Sequence, residues 1–321
     1  MRVTACRLVL GALQVASRSA RQAGRICPMV VTVVALAGCE VNLNTEGLTE
    51  RDTRTFDVSG RPVVVLDTFD GSIEIHSWDR KQVEVEVEKR GMEQSLIDEM
   101  KIKAEQHGDR IVLKVTGPSR REFRGVTVGV HISPQARLRV ALPRESDIEA
   151  TSGDGSIAIE DVAGRVILTT ADGSVRAARV SGDLRVRSGD GSIRMEGIVG
   201  AIDLETNDGS IGLDATPTAL RARTGDGSIR LQVEPESAMA SDWEVRTGDG
   251  SVVLTLPSGF SAELDAESAD GTVRASHPAL KDGGERSGER EERRRSLRTT
   301  MGSGGRILRV RTGDGTIRIQ S

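Results

Sequence analysis

The chain has 321 residues, with 44 basic and 48 acidic side chains that leave a formal net charge of −4. A charge so close to balance argues against a nucleic-acid binder and against a polyanionic tail. Aromatic residues make up only 2% of the chain and Tyr is absent, whereas 36 residues are Gly. That composition favours thin, repetitive β structure over the core of a globular α/β enzyme.

The first 38 residues are predicted to be a lipoprotein signal peptide. Three arginines within residues 18–25 precede a nine-residue apolar run, 29–37, which is too short to span a bilayer. The run ends in Leu36-Ala37-Gly38-Cys39, which resembles the lipobox of bacterial lipoproteins. The resemblance implies that Cys39 is acylated after cleavage, and it places the protein in the cell envelope, anchored to a membrane. The alternative is a chance Cys in an ordinary signal peptide.

Cysteine content agrees with this interpretation. Of Cys6, Cys27 and Cys39, only Cys39 would remain in the mature chain, so an internal disulfide is excluded there. Residues 39–52 are polar and are predicted to be a tether between the lipid and the folded part.

Residues 53–147 are predicted to form a β-rich N-terminal cap that includes the first repeat. Val and Glu alternate over 83–88 as in a strand, and a short helix is expected over 93–99. A hairpin is expected around His107–Arg110, and further strands around 126–130 and 138–142.

The dominant signal is an internal repeat. Asp-Gly-Ser or Asp-Gly-Thr occurs nine times, and five consecutive copies are spaced by 18 residues. The nine copies begin at Asp70, Asp154, Asp172, Asp190, Asp208, Asp226, Asp249, Asp270 and Asp314. Apolar or hydroxyl residues occupy alternate positions before and after each Asp, as in Leu220, Ala222 and Thr224, then Ile229 and Leu231. Period-two alternation predicts two half-buried strands per copy.

Two architectures fit this pattern. Asp-Gly could be the two-residue loop of a β-hairpin, or each copy could be one coil of a parallel, β-helix-like solenoid. The constant period and a second series of glycines, Gly164, Gly182 and Gly200, favour the solenoid, since they mark an opposite corner. The predicted fold is therefore an all-β solenoid of about 18-residue coils, with regular repeats over 148–275.

Longer intervals between copies place their extra residues after the second strand and never inside the Asp-Gly-Ser turn. One edge should therefore be uniform and the other decorated with insertions. The largest late insertion, 276–304, is rich in Gly, Ser and charged residues, and is predicted to be a mobile loop before a last repeat at 305–321.

The chain resembles the bacterial putative-adhesin family of envelope proteins of unknown function. The resemblance rests on the Ser/Thr-Gly-Asp-Gly-Ser-Ile repeats, on residues 71–75 followed by Trp78-Asp79, and on residues 138–143 before the first regular repeat. It implies a β-solenoid outside a membrane and supplies no catalytic residues. The insertion at 276–304 departs from the family pattern.

The row of Asp side chains in the turns is a candidate calcium site. Stacked Asp side chains about 4.8 Å apart would repel one another, which calcium could relieve. The second corner, for example Val162–Arg165, lacks the ligands of calcium-binding nonapeptide repeats, so a structural role is favoured, with Asp accepting hydrogen bonds from the turn or offset by Arg176, Arg194 and Arg230. His76, His107, His131 and His277 show no ligand spacing, and no catalytic, cofactor or metal residue is predicted.

Two other surface features could contact a ligand. Trp243 falls on an inward position, which leaves Trp78 as the exposed aromatic candidate. Outward arginines could contact anionic envelope polymers or could form an ordinary solvated strand face. They are Arg185, Arg187, Arg221, Arg223, Arg246, Arg309 and Arg311.

The sequence thus predicts a non-enzymatic, lipid-anchored envelope protein acting as a binding, adhesin-like or structural module. An envelope polymer or protein partner is expected at the decorated edge. The alternatives are a polysaccharide-acting enzyme built on a β-helix and a calcium-stabilised repeat protein.

Overall fold

A computed structural model describes residues 47–118, 133–280 and 295–321. The predicted signal peptide, Cys39 and the strand expected at 126–130 lie outside the described residues. Within those residues, no helix has the length and apolar character needed to cross a membrane.

The described chain is almost entirely β, with 22 strands and one helix of six residues. The N-terminal part contains β1 (Leu48–Asp57), β2 (Val63–Thr68), β3 (Ile73–Trp78), β4 (Gln82–Gly91), α1 (Gln94–Glu99), β5 (Lys101–His107), β6 (Arg110–Thr116) and β7 (Gln135–Pro143). The regular repeats contain β8 (Asp147–Ser152), β9 (Ile157–Glu160), β10 (Val166–Thr170), β11 (Val175–Ala178), β12 (Ser181–Ser188), β13 (Ile193–Thr206), β14 (Ile211–Thr224) and β15 (Ile229–Val233). The C-terminal part contains β16 (Trp243–Thr247), β17 (Val252–Thr255), β18 (Ala262–Ser268), β19 (Val273–Ser276), β20 (Ser296–Met301), β21 (Ile307–Thr312) and β22 (Ile317–Gln320).

Equivalent strands of neighbouring copies pair in parallel, which confirms the solenoid-like class and is incompatible with a hairpin around each Asp-Gly turn. Val166 lies opposite Ile148 on one side and Leu184 on the other, each 18 residues away. After the turn, Val175 lies between Ile157 and Ile193 in the same way. Because a hairpin would pair the two strands of one copy, this register identifies the stacking of successive copies.

The strands form two opposed faces. Face A contains the strands that precede the Asp-Gly turns, together with β5, β6 and β20 at its ends. Its order is β5, β6, β2, β8, β10, β12, β13, β14, β16, β21, β18, β20. Face B contains the strands that follow the turns, together with β1, β4 and β7 at one end. Its order is β1, β4, β7, β3, β9, β11, β13, β14, β15, β17, β22, β19. The long strands β13 and β14 contribute to both faces.

The core lies between the two faces and is filled by the alternating residues. In one typical copy Leu220 and Ala222 from face A and Ile229 and Leu231 from face B are at most 3% exposed. Trp243 is 1% exposed and its ring lies 5.5 Å from that of Phe260, so the predicted core position of this Trp is confirmed. Burial of such a continuous apolar column is the main source of stability in a stacked repeat.

The N-terminal end differs from the sequence prediction in two respects. β1 begins at Leu48, inside the segment 39–52 predicted to be a tether, because its backbone pairs antiparallel with β4 from Leu48 onward. β6 and β7 pair in parallel with β2 and β3, so this segment adds a further layer outside the first Asp-Gly copy. The predicted helix and the antiparallel hairpin at 107–110 are present as α1 and β5–β6.

The C-terminal end also departs from chain order. β21 and β22, the predicted last repeat, lie between the copies of Asp249 and Asp270, because β21 pairs with both β16 and β18. The copy of Asp270 therefore forms the end of the stack. Within the predicted loop 276–304, residues 296–301 form β20, which pairs antiparallel with β18; residues 281–294 lie outside the described part.

Glycine is required at the Asp-Gly turns because neighbouring copies approach one another so closely there. A Cβ added to Gly227 would lie 2.0 Å from the carbonyl oxygen of Gly209, and the same holds along the row. At the opposite corner, a Cβ on Gly200 would lie 2.1 Å from the carbonyl oxygen of Gly182. Both corner series found in the sequence therefore mark points of backbone contact.

Candidate functional site

The uniform edge, formed by the Asp-Gly turns, is held by a ladder of buried hydroxyls. Thr224 Oγ1 accepts the N–H of Gly227 in its own turn at 3.2 Å and donates to the carbonyl of Gly209 in the neighbouring copy at 2.8 Å. The same pair of bonds recurs at Ser152, Thr170, Ser188, Thr247, Thr312 and Ser268. The hydroxyl before the Asp thus holds the turn, a role that the sequence interpretation had given to the Asp carboxylate.

The Asp side chains project outward along this edge. The pKa of Asp70 is raised, first by its partial burial and then by the neighbouring charge of Asp154. Among the described residues, no group of three or more His, Cys, Asp or Glu side chains is arranged to hold a metal ion. The hydroxyl ladder makes this edge a structural contact between successive copies.

The decorated edge is the opposite corner, where the insertions occur. Asp161 and Arg179 occupy equivalent left-handed positions there, with φ of 60° and 53°, followed by Gly197 at 63°. The Arg179 guanidinium donates to both carboxylate oxygens of Asp161, at 2.7 and 2.9 Å, and to Glu160 at 3.1 Å. These bonds lower the pKa of Asp161 and raise that of Arg179. An ion pair thus stabilises a corner that lacks glycine.

A groove of about 510 Å³ runs along face A beside the decorated edge. Its floor includes the small outward side chains of Ala201 and Ala219, above buried Trp243. Ser241 and Asp242, from the insertion between the copies of Asp226 and Asp249, form part of one wall. The insertion therefore shapes the groove rather than merely extending a loop.

A second depression of about 610 Å³ continues toward the N-terminal end. It is lined by Arg61, Glu145 and Asp147 and by the corner backbone of Gly164 and Gly182. Arg165 and Asp183 belong to the walls of both depressions. The two depressions therefore adjoin at these residues, and we call them together the corner groove.

Charged side chains of both signs line the corner groove. Arg185 pairs with Asp203 at 3.2 Å, and Glu244 accepts from Arg223 at 2.8 Å and lies 3.7 Å from Arg221. The hydrogen bond from Arg223 is the main reason that the pKa of Glu244 is lowered and that of Arg223 is raised. These pairs fix donors and acceptors at the surface, an arrangement suited to a polar ligand.

Six of the seven outward arginines singled out in the sequence lie in such pairs on face A. Arg187 bonds to Glu205 at 3.1 Å, and Arg311 bonds to Asp265 at 2.6 Å, with Arg309 at 4.0 Å from the same carboxylate. Within the described residues, Arg246 forms no ion pair. Cross-strand pairing of opposite charges stabilises the face and removes most of its free positive charge.

The remaining candidates have structural roles. His277 is buried, its Nδ1 accepts the N–H of Ala279 at 3.1 Å, and its Nε2 lies 3.1 Å from the carbonyls of Leu256 and Pro257. Trp78 Nε1 donates to the carbonyl of Gln82 at 2.8 Å, and its ring is covered by the guanidinium of Arg80 at 4.8 Å. His277 is thus held in the core, and the indole N–H of the half-buried Trp78 is already bonded to the backbone.

Comparison with known proteins places the fold in context. No curated protein matches the chain. Solved structures that are similar include a putative cell adhesion protein from Clostridium sporogenes ATCC 15579, with 12% identity over 85% of this chain and 99% of that one, and a TM-score of 0.27. A putative adhesin from Bacteroides fragilis NCTC 9343 has 11% identity over 84% and 97%, with a TM-score of 0.35. A putative lipid binding protein from Parabacteroides distasonis ATCC 8503 has 12% identity over 85% and 98%, with a TM-score of 0.37.

At such TM-scores these likenesses carry no weight in assigning the fold or the function. The family match is broader, because the family described as Toastrack DUF4097 matches residues 58–320, nearly the whole described part of the chain. The parallel pairing of its copies and this match agree. The chain belongs to the Toastrack DUF4097 family.

Proposed function

We propose that this protein is a non-catalytic binding module of the cell envelope, and that the corner groove receives an elongated polar partner. The observation that carries the proposal is the corner groove beside the decorated edge, with its Ala floor and its mixed-charge walls. Ion pairs hold the wall side chains in place, so binding would cost little side-chain ordering.

The finer architecture belongs to the same proposal. The coil is an 18-residue unit, supported by the register of β8 to β14, and residues 76–147 act as a cap that covers the N-terminal end of the stack. Insertions at the decorated edge then vary the groove without disturbing the stack, because the hydroxyl ladder lies at the other edge.

Membrane anchoring is proposed from the sequence alone. Acylation of Cys39 after cleavage of residues 1–38 would attach the module to a membrane on its outer side. Two or more acyl chains would make attachment essentially permanent. Partition into a detergent phase should be lost in Cys39→Ser, and partition unchanged by that substitution would count against the anchor.

Groove binding is tested with the lipid-free chain beginning at residue 40. Immobilised protein is used to capture envelope polymers. The affinity of the captured polymer is then measured for the unsubstituted protein and for Ala219→Trp, which fills the groove floor. We expect at least a tenfold loss of affinity. The matched control is Ala158→Trp, which adds the same bulk to an outward position on face B.

The assignment fails if both Trp variants bind equally well. Incubation of the purified protein with the captured polymer should also yield no shortened products. Turnover that is abolished by Ala219→Trp would replace the binding module with an enzyme acting in the same groove.

A further inference from the structure

Face B carries a single row of arginines along the stack, which we call the arginine row: Arg176, Arg194, Arg230 and Arg318. Each lies at the same outward position, between the two inward residues of the strand that follows the turn. All four are exposed. Arg274 occupies the same position in β19, next to Arg318.

The arginine row differs from most outward arginines of face A in having no anionic partners. On face A, six of the seven outward arginines bond to an Asp or Glu on a neighbouring strand, and Arg246 is the exception among the described residues. Within the described residues, none of the four arginines of the row forms an ion pair. Face A shows that this fold readily accommodates opposite charges on adjacent strands, so the fold itself does not impose the unpaired row.

The row also places like charges side by side. Arg176 is directly opposite Arg194, and Arg318 is directly opposite Arg274. Strands lie about 4.8 Å apart, and like charges directly across a strand pair are destabilising. On face A, Arg223, Arg246 and Arg311 are also opposite one another, but there Arg223 and Arg311 have acidic partners. Arg176 and Arg194 have no such partner among the described residues, so an anionic ligand would offset their charge.

The charges that flank the arginine row differ along its length. Near Arg194, Glu196 and Asp214 lie opposite each other on β13 and β14. Burial raises the pKa of Asp214, and the neighbouring Glu234 and Glu196 raise it further, as expected where negative charge is crowded. Toward the C-terminal end the flanking outward residues are uncharged: Gln232, Thr255 and Gln320.

The spacing is regular over this part. Arg194, Arg230 and Arg318 lie on alternate strands of face B, with Gly212 and Val253 between them. The Cα atoms of these arginines therefore recur about every 10 Å across face B, two strand spacings apart. In each copy three residues separate the turn Asp from the arginine of the row, and within the described residues no ion pair joins the two.

We propose that the arginine row binds a linear anionic polysaccharide, whose carboxylates contact Arg194, Arg230 and Arg318 in turn. One extended sugar unit is close in length to one strand spacing, so a chain in which every second unit presents a carboxylate to the same side matches the row. The guanidinium fork suits bidentate contact with carboxylates. The positive charges form a line one residue wide, which fits a linear polymer. A flat lipid surface would instead be bound by a broad basic patch.

The test uses short oligomers of polygalacturonate as the probe and their methyl-esterified form as the uncharged match. Binding is titrated at several salt concentrations to the lipid-free protein and to the triple variant Arg194→Gln, Arg230→Gln and Arg318→Gln. We expect the protein to bind the acid form, with affinity falling as salt rises. The affinity of the triple variant for the acid form should be at least tenfold lower.

The matched control is Arg187→Gln, Arg246→Gln and Arg311→Gln, which removes the same charge from outward positions of face A that do not line the corner groove. It should retain binding, as should the groove variant Ala219→Trp, so failure of the groove proposal would leave this one standing. Circular dichroism and melting establish that each variant is folded.

Three results would overturn the proposal: equal binding of the esterified form, unchanged binding by the face B triple variant, or an equal loss in the face A control. Vesicles containing phosphatidylglycerol form a separate arm of the experiment. Binding to vesicles that depends on the arginine row, without binding to polygalacturonate, would assign the row to a membrane surface instead.

Discussion

At the scale of single residues, the repeat motif is explained by hydrogen bonding across copies rather than by the acid that makes it conspicuous. A buried Ser or Thr satisfies one backbone N–H of its own turn and one carbonyl of the neighbouring copy. Both backbone groups would otherwise be buried without partners, which is costly. The hydroxyl therefore couples each copy to the next.

Removal of one hydroxyl should weaken the stack. In Thr224→Val the shape is retained, but the N–H of Gly227 and the carbonyl of Gly209 lose their partner, so we expect a loss of about 1–3 kcal/mol in the free energy of unfolding. Denaturant unfolding followed by circular dichroism measures it. Thr224→Ser keeps the hydroxyl and should cost about 1 kcal/mol or less. Equal losses in the two variants would show that packing, not hydrogen bonding, holds the turn.

Asp226→Asn at the adjacent position should leave stability nearly unchanged, since the carboxylate is exposed and the hydroxyl carries the turn. The melting temperature should also be the same with calcium and with a chelator. A chelator-induced fall in melting temperature that disappears in Asp226→Asn would instead support a calcium row.

Acid sensitivity should come from the ion pairs of face A. Asp265 accepts hydrogen bonds from Arg311 and then Arg298, which hold its pKa below the ordinary value. A carboxyl whose folded pKa lies below its unfolded pKa stabilises the fold above the unfolded value, and this contribution is lost as the pH falls through the folded value. We expect Asp265→Asn to lower the free energy of unfolding by about 1 kcal/mol at pH 7.

That difference should begin to shrink below about pH 4, the ordinary pKa of Asp, and should vanish only when the pH falls below the lower pKa of the folded carboxyl. Chemical unfolding at pH 7 and at pH 3 provides the measurement, and Asp208→Asn in the exposed turn row serves as the control. A difference that is the same at both pH values would mean that Asp265 acts through packing alone.

At the scale of elements, close backbone contact at the corners limits which residues each copy can use. Gly227→Ala would place a methyl group 2.0 Å from the carbonyl oxygen of Gly209, so neighbouring copies must separate. We expect a loss of about 3 kcal/mol, measured by denaturant unfolding, from this overpacking.

The control is Gly212→Ala. Gly212 lies within β14 and has nothing within 4 Å of an added Cβ, so this substitution should be neutral or slightly stabilising. Similar losses at both positions would indicate that backbone entropy rather than copy-to-copy contact explains the turn glycines.

The strands were predictable where the alternation and the turn motif occur together. β8 to β15 follow the predicted inward positions because both signals are present in each copy. β6 and β7 have the same alternation, with Ile111 and Leu113 buried in one and Leu138 and Val140 in the other. They lack an Asp-Gly turn, so the sequence indicated a separate hairpin and strands instead of another layer of the stack.

The corner groove was less predictable, because it depends on side chains that are far apart in the sequence. Ala201 and Ala219 are outward residues that look unremarkable in the alternation, and only stacking brings them together with Asp242 from a later insertion. The sequence did indicate at which edge the insertions accumulate, and the groove lies beside that edge. The sequence could not indicate that the groove lies along face A rather than face B.

At the scale of the whole stack, the order of copies is not the order of the chain. The inward residues of the last repeat, Leu308, Val310 and Thr312, are of the same types as those of every other copy, so the alternation alone cannot decide where it inserts. In the structure Thr312 donates to the carbonyl of Gly250, and Ser268 donates to that of Gly315. The C-terminal segment is therefore held by a neighbour on each side.

This arrangement makes the C-terminus a structural bridge. Removal of residues 305–321 would take away the parallel partners of both β16 and β18, leaving β18, β19 and β20 without their link to the rest of the stack. Nearest-neighbour contacts supply most of the stability of a stacked repeat. We therefore expect the truncated chain to lose hydrogen-exchange protection throughout 262–276 and 296–301.

The strands from β8 to β14 should remain protected in the same truncated chain, because their neighbours are untouched, and they provide the internal control. If copies were stacked in chain order, the same truncation would remove only an end layer, and β18 and β19 would keep their protection. Retained protection at 262–276 would therefore contradict the inserted position of the last repeat, whereas its selective loss would show that the final 17 residues connect the end layer to the stack.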